Sequence, residues 1–184
     1  MTVIVSAFYK FVPIDDPAAL RAHLRAGLAE RAMKGTILVA PEGVNGTVSG
    51  AADAMASFHA FLRVDPRFAD IVTKDAEAGA HPFQRLKVKL KREIISIRTA
   101  DADPTPGVVG TYVAPQDWNA LITAPDVLVL DTRNTYEVQA GTFRGAVDPR
   151  ISNFGAFPRY VEENLDPARH RRVAMFCTGG IRCE

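Results

Sequence analysis

The chain has two cysteines, Cys177 and Cys183, and both fall in the closing stretch VAMFCTGGIRCE, residues 173–184. Cys177 directly follows a hydrophobic run, and Thr178, Gly179, Gly180, Ile181 and Arg182 separate it from Cys183. Reactive groups in open α/β sheets gather at the carboxyl ends of buried parallel strands, which is where this order places Cys177. Glycine permits the positive φ angles that turn a short loop's N–H groups inward, so residues 178–182 are expected to form an anion-binding loop around the sulfur. Converging amides and the charge of Arg182 would stabilise a thiolate or persulfide, which makes Cys177 the expected catalytic nucleophile.

Cysteine-dependent phosphatases use similar parts, but their Cys-x5-Arg loop is longer than the four residues between Cys177 and Arg182. An inert interior cysteine is the general alternative, since free Cys is commonly buried; the two glycines and the arginine weigh against it. If Arg182 opens a helix, Cys183 sits near its positive end with a lowered pKa and becomes a candidate redox partner that resolves an oxidised Cys177. A small buried residue is the alternative for Cys183.

These side chains need a scaffold, and the sequence supplies two in series. VIVSAFYKF suits a strand, and Asp15, Asp16 and Pro17 cap a helix through residues 18–31. Two β-rich runs follow at 36–40 and 44–49 around PEGVNG, then a helix over 51–63 with Met55, Phe58, Phe61 and Leu62 on one face. Strands near 69–74 and 86–98 complete a β-α-β-β-α-β order, the pattern of a ferredoxin-like α+β sandwich. DADPTPGVVG, residues 101–110, reads as a linker between a domain over 1–100 and a second over 111–184. The second reads as α/β: a helix from Pro115 to Ile122, strand VLVLD at 127–131, a polar crossing, a helix near 154–164 and strand RVAMF at 172–176. Parallel pairing through crossovers is the economical assembly.

Bulk properties exclude little. A formal charge of +1 from 22 basic and 21 acidic side chains means that a nucleic-acid partner must be met by a local patch. One exists: LKVKLKREIISIR alternates Leu86, Val88 and Leu90 with Lys87, Lys89 and Lys91. With Arg85, these lysines are candidate RNA phosphate contacts, against the alternative of a sheet edge defended by lysine. No apolar run reaches membrane-spanning length and no secretory leader is evident, so a cytoplasmic protein without a membrane partner is expected. His23, His59, His81 and His170 form no metal-binding spacing, and no metal is expected.

VLVLDTRNTYEVQAGTFRGAVD followed by VAMFCTGGIR resembles a rhodanese domain, with Asp131, Arg133, Glu137, Gly141 and Gly145 on its upstream pattern. The resemblance implies a catalytic Cys177 surrounded by loop amides, with Asp131 and Arg133 as structural support for the first strand and its loops. A narrower resemblance covers nearly the whole chain. EGVNGTVSG, HPFQRLKVKLKREI, GTYVAPQDWNALI and CTGGIRCE, in that order, look like the rhodanese-related tRNA uridine hydroxylases. Members join a ferredoxin-like domain to a rhodanese-like parallel-sheet domain and make 5-hydroxyuridine at the tRNA wobble position. The resemblance therefore implies tRNA as partner, molecular oxygen as co-substrate and dependence on Cys177; no cofactor is firmly expected. It also implies a rhodanese domain that is truncated here, since such domains continue past the active loop. Two other readings stand beside it: sulfane-sulfur transfer by Cys177, and a noncatalytic module that binds RNA or a protein. Tyr112, Trp118, Tyr136 and Phe143 are aromatics that could stack on bases or pack the core; for Trp118, helical spacing with Leu121 and Ile122 favours packing.

Overall fold

The computed structural model describes residues 2–97 and 109–184, in two compact units, Met1–Ile94 and Ile95–Glu184. The part of the expected linker at 101–108 lies outside the described residues.

In the first unit the elements run β1 (Val3–Phe11), α1 (Pro17–Glu30), β2 (Lys34–Ala40), β3 (Gly43–Ala51), α2 (Ala52–Arg63), β4 (Thr73–Ala78) and β5 (Leu86–Leu90). Asp16 caps α1 by accepting from the Ala19 amide at 2.9 Å, and Pro17 fills the first helical turn, where its missing N–H costs nothing. Alternation decides the rest: Phe8, Ile37, Val39, Val44 and Val48 face one side of the sheet. There they meet Leu20, Leu24 and Leu28 of α1 and Met55, Phe58 and Leu62 of α2. The strand order is β4-β1-β3-β2-β5, an α+β sandwich of ferredoxin-like type with a fifth strand lying parallel to β2.

Phe58 is fully buried and packs its ring 5.7 Å from that of Phe8. Phe58→Ala is expected to cost about 3–5 kcal/mol, the usual range for an aromatic removed from a close-packed core. Denaturant titration checks this, and a loss under about 1 kcal/mol would mean that the helix layer does not hold the sheet as described.

Two strand positions differ from the sequence reading. The strand expected near 69–74 lies at Thr73–Ala78, because Asp65 caps a short 3-10 turn at Pro66–Phe68 and the chain then buries Phe68 and Ile71 before it can extend. The strand expected over 86–98 ends at Leu90: the Lys91 amide still donates to Val39 at 2.9 Å, after which the chain leaves the sheet. It is then gripped by the β2–β3 turn motif. The Glu42 carboxylate accepts from the Ile94 amide at 2.5 Å, and the Asn45 side-chain amide donates to the Ile94 carbonyl at 3.0 Å. Gly43 at the turn has φ +144°, and a Cβ there would stand 2.0 Å from the Lys10 carbonyl oxygen, so only glycine fits.

The second unit contains α3 (Pro115–Ile122), β6 (Val127–Asp131), α4 (Thr135–Gln139), α5 (Phe157–Asn164) and β7 (Arg172–Phe176). β6 and β7 pair in parallel from Val127↔Arg172 to Asp131↔Phe176, and Val147 adds a parallel bridge to Leu130. Leu130, Ile151, Phe154 and Phe157 form its core, with Ile95, Ile97, Tyr160 and Val161 packed around them. Trp118 packs on Phe143 and Phe176, at ring separations of 5.6 and 6.0 Å. No helix among the described residues is long and apolar enough to cross a membrane.

Candidate active site

The parallel pairing of β6 and β7 sets their carboxyl ends side by side, so the residues after Asp131 and after Phe176 emerge together. Asp131 is wholly buried at the end of β6. Its carboxylate accepts from the Arg133 guanidinium at 2.8 and 2.6 Å and from the Thr142 hydroxyl at 2.8 Å. Burial alone would raise the Asp131 pKa, but these bonds outweigh it and hold the carboxyl below its usual range. Arg133 also donates to the Gly141 carbonyl at 2.6 Å and lies over the Phe176 ring at 5.4 Å. The pair thus ties the end of β6 to the 141–142 segment and to the residue preceding Cys177.

Cys177 leaves β7 into the loop of residues 178–182, which closes in a short 3-10 turn at Ile181–Cys183. Gly180 adopts φ +100°, which aims its N–H at the Cys177 sulfur, 2.9 Å away. The Cys177 pKa is lowered to about 5: first by a hydrogen bond from the Cys183 thiol, then, against the opposing effect of burial, by the amides of Arg182, Gly179 and Gly180. A thiolate is therefore the stable form of Cys177 at neutral pH. Thr178 is exposed, whereas Gly179, Gly180, Ile181 and Arg182 are half-buried.

Cys183 does not take the lowered pKa expected of it at a helix N-terminus. Only a three-residue 3-10 turn forms there, and the bond to Cys177, together with burial, pushes the Cys183 thiol up rather than down. Its amide donates to the Gly180 carbonyl at 2.8 Å, and its sulfur lies 3.6 Å from the Thr132 hydroxyl. Thr132, buried between the strand ends, also donates to the Phe176 carbonyl at 3.0 Å. Cys183 is the proton-bearing partner of a thiol–thiolate pair.

The residue that holds the loop in shape is Glu137 of α4. Arg182 donates to both of its oxygens, at 2.8 and 2.9 Å, and the Thr178 hydroxyl and Asn134 amide add bonds of 2.5 and 3.0 Å. The Arg182 and Glu137 side chains are only 12% and 14% exposed, so this bidentate pair is shielded from water. The bonds from Arg182 carry the Glu137 pKa down to about 2 against burial. Burial pulls the Arg182 pKa down, and Glu137 and the Cys177 charge more than offset it. With its guanidinium committed to Glu137, Arg182 is ill placed to grip a phosphate ester, a second observation against phosphatase chemistry. The sequence pattern contained Glu137 but assigned it no task; the signal was its match to a motif that also contains the loop arginine.

Among the RNA-contact candidates, Lys87 and Lys89 lie on the edge strand β5. Arg85 and Lys91 flank it, held by a Gly35 amide to Arg85 carbonyl bond of 3.1 Å and the Lys91 to Val39 bond. These residues belong to the first unit and Cys177 to the second. Tyr112 donates to Glu184, while Tyr136 is 69% exposed. No group of three or more His, Cys, Asp or Glu side chains suited to a metal occurs among the described residues.

Residues 3–94, half of the chain, match the UPF0176 acylphosphatase like domain family. The chain belongs to this family. It is the rhodanese-related, tRNA-hydroxylase-associated family that the motifs of both halves resemble. Solved structures similar to the chain include Klebsiella pneumoniae BlrP1, at 17% identity and TM-score 0.40, with 48% of this chain and 26% of that one covered. They also include acylphosphatases from Coxiella burnetii (10% identity, TM-score 0.35, 48% and 93% covered) and Bacillus subtilis (15%, 0.37, 48% and 99%). The family match falls within the first unit, and the chain spans about a quarter of the length of BlrP1.

Proposed function

We propose that this protein hydroxylates the wobble uridine of tRNA to 5-hydroxyuridine, using molecular oxygen and the Cys177 thiolate, with the second unit acting as a rhodanese-type domain. The observation that carries the reading is the Cys177 sulfur held as an anion by the Gly180 amide and the Cys183 thiol, in a family associated with tRNA hydroxylation. A thiolate can add to C6 of a pyrimidine, raising electron density at C5, where oxygen reacts; elimination then restores the ring and frees the sulfur. One oxygen atom enters the base. The other leaves as water, taking two protons and two electrons from an external reductant. In this scheme Cys183 holds a proton beside the departing sulfur.

The same anion-stabilising loop suits a persulfide, so sulfane-sulfur transfer is the second reading. The two separate in one assay. Purified protein is incubated with unmodified tRNA and a reductant, in air and without oxygen, and in parallel with thiosulfate. Oxygen-dependent 5-hydroxyuridine at the wobble position is the expected product. A Cys177 persulfide that passes sulfur onward, with no change in the nucleoside, would replace hydroxylation by sulfur transfer.

A further inference from the structure

Both helices of the first unit cover one face of its sheet, and strand alternation fixes what lies on the other. Phe8, Ile37, Val44, Val48 and Val88 belong to the helix-covered core, so their sequence neighbours point to the opposite face. The same alternation and strand register place Tyr9 and Phe11 on β1, Lys34 on β2, Lys74 on β4, and Lys87 and Lys89 on β5 on that opposite face. Every strand of this sheet is described, and none of its strand positions on the open face carries a carboxylate. The acidic side chains of the edge strand β4, Asp75 and Glu77, alternate to the helix side, where Asp75 accepts from Ser6 at 2.6 Å. Four lysines thus lie on a face whose strand positions carry no carboxylate; Glu42 in the β2–β3 turn is engaged by the Ile94 amide. The Tyr9 and Phe11 rings lie 6.4 Å apart, edge to face, and are half-buried. Ordered contacts bound this face at each end: Ser49 with the His81 ring at 3.0 Å, and Asn45 with the Ile94 carbonyl.

Lys74, Lys87 and Lys89 lie on the two edge strands, where lysine also defends a sheet edge. Edge defence does not account for Lys34 on the inner strand β2 or for the aromatic pair on the inner strand β1. Aromatic rings on a sheet stack unpaired bases, and lysines around them neutralise the phosphates that link those bases. A duplex keeps its base faces stacked on one another, so an aromatic pair that stacks on bases favours single strands. We infer that the open sheet face of the first unit, centred on Tyr9 and Phe11 and flanked by Lys34, Lys74, Lys87 and Lys89, is a docking platform for single-stranded RNA. On the proposed function, the occupant is the unpaired loop that presents the wobble uridine.

This inference deepens that reading and is tested apart from it, by fluorescence anisotropy with labelled oligouridine and with an RNA duplex. The whole chain is used, and it should bind the single strand in preference to the duplex. Tyr9→Ala should weaken binding roughly tenfold or more, with Tyr9→Phe restoring it. Lys87→Ala with Lys89→Ala should reduce the slope of log affinity against log salt by about 1.4, at about 0.7 per single-strand phosphate contact. Arg25→Glu, exposed on the helix side, should change little. Circular dichroism confirms that each variant is folded. Failure of the native chain to bind the single strand, equal binding of the duplex, or an unchanged salt slope in the lysine variant would overturn the inference. Normal RNA binding without any 5-hydroxyuridine would leave the platform standing and remove the reaction. Normal 5-hydroxyuridine formation by variants that bind RNA like the native chain would do the reverse.

Discussion

Glu137→Gln is expected to lower 5-hydroxyuridine formation by about 100-fold or more while the variant still folds. Glutamine keeps the shape and can accept single bonds, but it removes the charge that fixes Arg182 through two contacts. The loop is then free to relax, and the amides that converge on Cys177 lose their common aim. Losing one preorganised donor at a developing anion costs on the order of 10²–10³ in rate, and here several depend on one clamp. The stability effect has a defined sign. The folded Glu137 pKa is depressed from about 4.5 to about 2, so its contribution is complete above about pH 4.5 and is lost as pH falls through about 2. At about 1.4 kcal/mol per pKa unit, that contribution is about 3 kcal/mol at neutral pH. Denaturant titrations at pH 7 and pH 2.5 should therefore show native and Glu137→Gln proteins converging in acid. A variant with native turnover and an unchanged Cys177 titration would show that the loop keeps its shape without the clamp.

The second large effect is in the reactivity of Cys177. With a pKa of about 5, its alkylation by iodoacetamide should be nearly independent of pH from 6 to 8 and fall as the pH drops through about 5. An ordinary thiol is almost wholly protonated at pH 6. Allowing for the weaker nucleophilicity of a low-pKa thiolate, Cys177 should still react roughly tenfold faster there than a free cysteine. Cys183 should be labelled far more slowly, because its proton serves the neighbouring thiolate. Cys183→Ala removes that proton donor and should move the Cys177 midpoint upward. Peptide mapping after timed labelling separates the two sulfurs. A Cys177 midpoint near 9, or one indifferent to Cys183, would contradict the thiol–thiolate pair.

Much of the scaffold was legible because it follows local rules. The Asp16–Pro17 start of α1, the apolar stripe of α2 and the continuous apolar runs of β6 and β7 each declare an element from neighbouring residues alone. The placement of β4 was not legible, since the burial of Phe68 and Ile71 in a turn is a tertiary choice that a short β-prone run does not reveal. The parallel seat of β5 beside β2 likewise depends on pairing across the sheet. At the site, Cys177 and its glycines announced an anion cradle by their types and spacing. Glu137 lies 45 positions before Arg182, and only the parallel register of β6 and β7 brings the two together. The state of Cys183 was misread for a related reason: the sequence suggested a helix end, and the fold supplied a neighbouring thiolate instead.

The most direct test of the account compares tRNA nucleosides from cells that lack the full-length protein with those from cells given back either the native form or Cys177→Ala. Wobble-position 5-hydroxyuridine restored by the native form and absent with Cys177→Ala, at equal protein levels, is the predicted result. Equal restoration by both forms would contradict a role for the Cys177 thiolate, and restoration by neither would contradict hydroxylation itself.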